Sequence, residues 1–286
     1  EGGQNFVSLW GQFIMSPDSL NNIINLLPRL SHDEELSLAR RAKAGDAEYA
    51  IVDAISPFTA EHIAAMPKLK LIHSEGVAFG AIDIKAAAEK GIYVCNNKGA
   101  NAVSVAEHTV MLMLAAVKDL LPSNKAVMEG RQIETKSSMI QAGIRELSDY
   151  KIGLIGFGDI AKELVRMLAP FGPEVFFYVP REPRPEELAL CDGYLKLDEL
   201  LGTCDIISLH LPVKPETAGM VNSEFLAKMR DGSFLINTAR GELMVNEDVI
   251  EALKSGKLAG AAFDTVAPEP VLADNPFLSL PEEFKD

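Results

Sequence analysis

Cysteine is nearly absent from this sequence of 286 residues: Cys95, Cys191 and Cys204 are an odd number with no CxxC among them. That excludes a disulfide framework and a zinc ribbon, and it points to a reducing compartment. The five histidines, His32, His62, His73, His108 and His210, never fall at a spacing such as HExxH, so no metal site is expected. Basic side chains are outnumbered, 27 Lys+Arg against 41 Asp+Glu, for a formal net charge of −14. Without a basic surface to displace counterions, broad nucleic-acid binding is excluded. The longest apolar run, Val110–Val117, is far too short to span a bilayer. No basic stretch followed by an apolar one opens the chain, so the expected location is cytoplasmic, with no membrane partner. Repeats and low-complexity tracts are missing too. What is present is an ordinary globular composition, 48% hydrophobic and 24% charged, at a length that suits two domains.

Short apolar runs alternate with helical stretches along the chain. Tyr49–Val52, Leu69–His73 and Gly91–Asn96 read as buried parallel strands, with a helix over Ile84–Lys90 between the last two. A long apolar helix is expected from Ala102 to Leu121, stopped by Pro122, followed by a polar, irregular connection to Ser148. From there the alternation sharpens. Strands are predicted at Ile152–Ile155, Val175–Tyr178, Ile206–His210, Phe234–Asn237 and Ala261–Asp264. Helices fall at Ile160–Leu168, with Ile160, Leu164, Met167 and Leu168 as its apolar stripe, and at Glu247–Lys254, with Asn246 as its N-cap and Gly256 as its stop. This order implies an α/β fold with a doubly wound parallel sheet.

Between the first of these strands and its helix lies Gly156-Phe157-Gly158-Asp159-Ile160-Ala161, a GxGxxG/A turn. Gly156 permits the tight turn, Gly158 lets a pyrophosphate approach the backbone, and Ala161 lets the helix pack on the strand. The free N–H groups at the helix start face the phosphates. Such a turn binds a dinucleotide. The next strand normally ends in an acid that holds the adenosine ribose hydroxyls. Here Val179, Pro180, Arg181, Glu182, Pro183 and Arg184 follow instead. Arginine pairs with a 2′-phosphate that an acid would repel, so NADP is favoured over NAD. Two alternatives stay open: Glu182 holding the ribose from a longer turn, and the arginines lying on a solvated loop.

These motifs, in this order, resemble the D-isomer-specific 2-hydroxyacid dehydrogenases over nearly the whole chain. The matching pieces are Gly76-Val77-Ala78, Val105–Thr109, the glycine turn, Ser208–Pro212 with Thr217, Asn237–Gly241 and Asp264–Pro270. The stretch Tyr178–Glu187 is similar to glyoxylate/hydroxypyruvate reductases in particular. The resemblance implies a Rossmann cofactor domain over residues 98–286 and a flavodoxin-like substrate domain begun by residues 1–97, with the site in the cleft between them. It implies hydride transfer between NADP or NAD and a small 2-oxo acid, in a homodimer. Arg240 would hold the substrate carboxylate and polarise the ketone, with the N–H groups of Val77 and Ala78 in the Gly76 turn as a second carboxylate site. Glu269 resembles the carboxylate that pairs with a catalytic histidine, and Asp264 the receiver of the nicotinamide amide. Thr109, His210, Leu211, Pro212, Thr217, Thr238 and Ala239 resemble cofactor contacts, while His108 reads as structural.

The pattern breaks in several places. No histidine follows Glu269, which sets the expectation that the chain continues past Asp286, returns to the first domain and carries that histidine. The stretch Glu186–Leu195 reads as too short for the helix and strand due there. Ala78 stands where the family usually has glycine, and Glu75 where a basic residue would hold a phosphorylated substrate. Small unphosphorylated 2-oxo acids such as glyoxylate or hydroxypyruvate are expected. The rival readings are a non-enzymatic nicotinamide-binding regulator, like the C-terminal-binding-protein corepressors, and a formate or phosphonate dehydrogenase relative.

Overall fold

Short strands whose residues are covered on both faces must be joined by crossovers that lay helices over the sheet, and two such sheets are present. The computed structural model describes residues 6–8, 24–25, 47–53, 56–77, 79–269 and 271–281. The chain divides into two compact units, Glu1–Asn101 and Ala102–Asp286. No helix among the described residues is long and apolar enough to cross a membrane.

The first unit holds β1 (Phe6–Ser8), β2 (Ile24–Asn25), β3 (Tyr49–Val52), β4 (Leu71–Ser74) and β5 (Tyr93–Asn96), in the order β2-β1-β3-β4-β5. Every pairing is parallel. This is the flavodoxin-like strand order. Along β3 and β4 every second side chain is buried: Ala50, Val52, Ile72 and Ser74 face inward, the period of two that a pleated strand imposes. Their core partners include Phe58, Ile63, Met66, Ile82 and Ala87, from around the Ala60–Ala65 and Ile84–Glu89 helices.

The second unit holds β6 (Lys151–Ile155), β7 (Glu174–Tyr178), β8 (Gly193–Tyr194), β9 (Ile206–Leu209), β10 (Ser233–Asn237) and β11 (Leu258–Phe263). Their order is β11-β10-β9-β6-β7-β8, again all parallel. Counted from β6 this is the Rossmann order, with the reversal of strand order between β6 and β9, where such sheets bind ligands. The Asp159–Leu168 helix lies on the sheet through Ala161, Leu164, Val165 and Leu168. The buried stripe is thus rotated slightly from the expected one, and Ile160 and Met167 flank it half-buried.

Three expectations are corrected. The Ala102–Val117 helix ends at Asp119, whose φ of 47° breaks it. Pro122 then sits in the first turn of a second helix, Leu120–Met128, where a missing N–H costs nothing. The supposedly irregular segment holds a third helix too, Gln132–Ala142. With no buried residue, it has no apolar stripe for periodicity to reveal. The Asn246–Lys254 helix is capped by Val245, because the Asn246 amide donates instead to the Ala267 carbonyl, 2.9 Å away. Finally, the stretch read as too short contains both its elements in reduced form, the Pro185–Leu188 helix and β8.

Candidate active site

β6 delivers the chain to Gly156, whose φ of 96° only glycine tolerates well. A Cβ there would stand 2.3 Å from the His210 carbonyl oxygen at the end of β9. The turn is tied to β7 by the Gly156 N–H bond to the Tyr178 carbonyl. Gly158 is different: its φ is ordinary and a Cβ would meet nothing within 4 Å. The space over Gly158 therefore lies open beside the first N–H groups of the Asp159–Leu168 helix, which have no intrahelical acceptor. That is a cradle for a pyrophosphate, and these residues fit a bound dinucleotide. Asp159 is exposed and Ile160 half-buried at the same helix start. The Phe157 side chain turns the other way, stacked on Phe177 with centroids 4.2 Å apart, so only its backbone faces the cradle.

At the tip of β7, Val179 is buried and Pro180 exposed. The two arginines beyond are not on an unpaired solvated loop. Arg181 grips Glu187 with both ends of its fork, at 2.9 and 2.6 Å. Arg184 reaches the same carboxylate with its Nε at 3.3 Å and its backbone N–H at 2.9 Å. Glu187 is fully covered. Bonding by Arg181 holds its carboxyl down at about 2. Since this acid is buried under the arginines, no carboxylate is directed at a ribose from Glu187.

Across the reversal point, His210 is half-buried at the end of β9, its Nε2 2.8 Å from Ser208 Oγ. Burial lowers its pKa to about 4, so it is neutral at neutral pH. Leu211 and Pro212 follow, and Thr217 closes their loop by donating to the Pro212 carbonyl and accepting from the Lys214 N–H, both at 2.8 Å. β10 ends at Asn237, a buried residue whose amide bonds the Arg240 carbonyl and the Ala239 N–H. This fixes the 237–240 turn and leaves Arg240 exposed. Thr238 and Thr109 are buried, with hydroxyls 2.9 Å apart. Asp264 stands at the end of β11, held to β10 by its N–H bond to the Asn237 carbonyl. Its carboxylate meets His108 Nε2 at 3.3 Å. Gly241 is where the two loops cross: a Cβ there would lie 2.1 Å from the Ala267 nitrogen. Arg240, Asp264, Thr109 and Thr238 are thereby gathered at the carboxyl ends of β10 and β11, while Glu269 is exposed further along the second loop.

Sequence reasoning missed His108 and Asn237 as members of this constellation. The clue available was position: His108 adjoins Thr109 on the same helix, and Asn237 opens the motif that carries Arg240.

In the first unit, Gly76 and Val77 follow β4, and Ala78 lies outside the described residues. Asn96 donates to the Val77 carbonyl at 2.6 Å and Asn97 to the Glu75 carbonyl at 2.7 Å. Among the described residues nothing accepts from the N–H of Gly76 or Val77, so the turn offers donors to an anion. Beside it, burial first and then Asp53 raise the pKa of Glu75.

Comparison with known proteins places these features together. A family model described as D-isomer specific 2-hydroxyacid dehydrogenase, NAD binding domain, matches residues 110–284. A formate dehydrogenase of Neurospora crassa is 36% identical over 238 residues, covering 81% of this chain and 63% of that protein. This chain is thus shorter than that relative, spanning less than two thirds of it. A hydroxypyruvate reductase of Blautia hydrogenotrophica is 33% identical, covering 83% of this chain and 73% of the other. Among solved structures, an NAD-dependent formate dehydrogenase from Staphylococcus aureus in complex with NAD superposes with a TM-score of 0.73. It is 28% identical, covering 97% of this chain and 86% of that one.

Proposed function

This chain belongs to the D-isomer specific 2-hydroxyacid dehydrogenase family, and from that premise we propose that it reduces a small, unphosphorylated 2-oxo acid of the glyoxylate or hydroxypyruvate kind. A nicotinamide cofactor bound over the Gly156–Ala161 turn supplies the hydride. The chain's own residues do the rest. Arg240 holds the carboxylate and, as the ketone oxygen gains charge, stabilises it with its planar fork. The Gly76–Ala78 turn is assigned the carboxylate as well, through its N–H groups. Glu269 is assigned to pair with a proton donor, and Asp264, oriented by His108, to accept from the carboxamide. Thr109, Thr238, Ala239, His210, Leu211, Pro212 and Thr217 are assigned to line the cofactor. Residues 98–286 act as the cofactor domain and 1–97 as the start of the substrate domain. The observation that carries this reading is the meeting of Arg240 and Asp264 on two loops that only a glycine at position 241 lets cross.

NADP is the proposed preference. Two arginines share one carboxylate beyond β7, leaving a net positive charge there and no acid at the strand tip, which suits a 2′-phosphate. The exclusion of phosphorylated substrates rests on Glu75, whose carboxylate would repel a second anion beside the turn. The partner proposed is a second copy of the chain. The helices of residues 120–142 expose Leu120, Leu121, Val127, Met128, Ile133 and Ile140, apolar area that a homodimer would cover. The three free cysteines suit the cytoplasm.

The test is nicotinamide oxidation with glyoxylate, hydroxypyruvate and 3-phosphohydroxypyruvate, with formate oxidation in parallel because a similar protein carries that name. Turnover of the first two, faster with NADPH, is expected. Equal turnover of the phosphorylated acid removes the role of Glu75, a preference for NADH removes that of the arginines, and formate oxidation alone replaces the substrate class. Sedimentation at micromolar concentration as a monomer removes the dimer.

A further inference from the structure

His73 on β4 and Cys95 on β5 are register partners, on the face of the sheet opposite Ile72 and Ser74. Cys95 is exposed. Its Sγ lies 3.0 Å from His73 Nδ1, and His73 Nε2 lies 3.0 Å from Asn97 Oδ1. The far end of this chain dictates where the protons are. Asn97 Nδ2 stands 2.7 Å from the Glu75 carbonyl oxygen, which can only accept, so the amide nitrogen belongs there and Oδ1 faces the histidine. Because Oδ1 only accepts, Nε2 carries a proton. In the neutral ring Nδ1 is then the lone pair, aimed at the cysteine thiol. A thiol beside a base whose other nitrogen is fixed by an amide is the arrangement that activates cysteine as a nucleophile.

We propose that Cys95 is a nucleophilic thiol and a site of oxidation by hydroperoxides, with His73 as its base and Asn97 as a positioning residue. In the step, His73 Nδ1 takes the thiol proton and the thiolate attacks one peroxide oxygen. The S–O bond forms as the O–O bond breaks. Sulfur is oxidised by two electrons to the sulfenic acid, and the peroxide is reduced to an alcohol, or to water, taking the proton back from His73. The other two cysteines make internal controls: Cys204 is buried and Cys191 half-buried, and burial pushes both thiols up to about 12. Asn97 also donates its backbone N–H to the Gly76 carbonyl at 3.0 Å, so an altered sulfur lies three bonded groups from the turn assigned above to the substrate. Only that last consequence rests on the proposed function.

The experiment treats the full chain at pH 7 with hydrogen peroxide and traps sulfenic acid with dimedone, and separately follows alkylation by iodoacetamide by peptide mass. Dimedone should add at Cys95 alone. Cys95 should alkylate about tenfold faster than the thiol of glutathione, and His73→Gln should remove that advantage. Asn97→Asp, which keeps an acceptor for Nε2, should retain the rate that Asn97→Leu loses. Labelling of Cys191 or Cys204 in a variant would report misfolding, and the wild-type comparison with glutathione then decides alone. No dimedone adduct at Cys95, a rate no higher than glutathione's, or an undiminished rate in a folded His73→Gln protein would overturn the proposal. If peroxide also slows 2-oxo acid reduction and Cys95→Ser escapes, the link to the turn holds. If labelling succeeds and activity is untouched, the thiol site stands and that link falls.

Discussion

Arg240 and Arg181 are the same residue type in opposite circumstances. Arg240 is exposed at the end of a turn pinned by Asn237, its fork free to face a ligand. Arg181 has its fork filled by Glu187. Replacing Arg240 by lysine keeps the charge and loses the planar pair of donors. It should lower kcat/KM for the 2-oxo acid by about 100-fold or more, with cofactor affinity unchanged by fluorescence titration. Glu187→Gln should instead act on stability, costing about 2 kcal/mol at neutral pH because a covered carboxylate loses its partners while the arginines stay half in water. The sign follows from the direction of the shift. The folded carboxyl titrates at about 2, below the ordinary value of about 4.3 that the unfolded chain keeps. The wild-type advantage is therefore complete above the unfolded value and vanishes as pH falls through the folded one. Urea midpoints of the two proteins should differ at pH 7, converge near pH 3 and coincide near pH 2. Equal midpoints at pH 7 would refute the account.

Glycines in the turns divide by what surrounds them. At Gly241 an added methyl would strike backbone at 2.1 Å, and at Gly158 it would meet nothing within 4 Å. Gly241→Ala should cost about 3 kcal/mol or more, since backbone cannot yield as a side chain does. Gly158→Ala should leave the melting temperature unchanged while weakening dinucleotide binding about tenfold or more, because the methyl occupies the space a phosphate needs. Calorimetry and cofactor titration on both variants check this; a destabilised Gly158→Ala protein would show that the open cradle is misread. The same contrast explains what the sequence discloses. The glycine turn is local: strand, turn and helix lie within about twenty residues, and each glycine's duty is set by backbone geometry that a spacing rule captures. Both parallel sheets are legible for the same reason, from apolar runs spaced by helices. The pairing of His73 with Cys95, or of Arg181 with Glu187, depends on register and on which rotamer packs, and no spacing rule carries that. The Gln132–Ala142 helix was hidden for a different cause, since a helix that buries nothing leaves no periodic trace.

At the scale of the whole molecule, each unit has a core of its own. Phe58, Ile63, Met66 and Ile72 pack in the first, and two further clusters sandwich the sheet of the second, one around Leu154, Leu164 and Phe177 and one around Leu200, Ile207 and Leu235. Two cores permit two cooperative transitions. Differential scanning calorimetry should resolve both, and saturating dinucleotide should raise only the one belonging to the second unit, by mass action on its folded form. A single transition that shifts as a whole would contradict independent cores.

Every strand pairing described in both sheets is parallel, and so none can form as a hairpin between chain neighbours. Each contact between strands waits on the closure of a crossover, which makes the route to the native state long-range from its first step and slow in consequence. During that wait the strand edges have no partner of their own, so recovery from denaturant should depend on protein concentration well before it depends on the final stability of the fold.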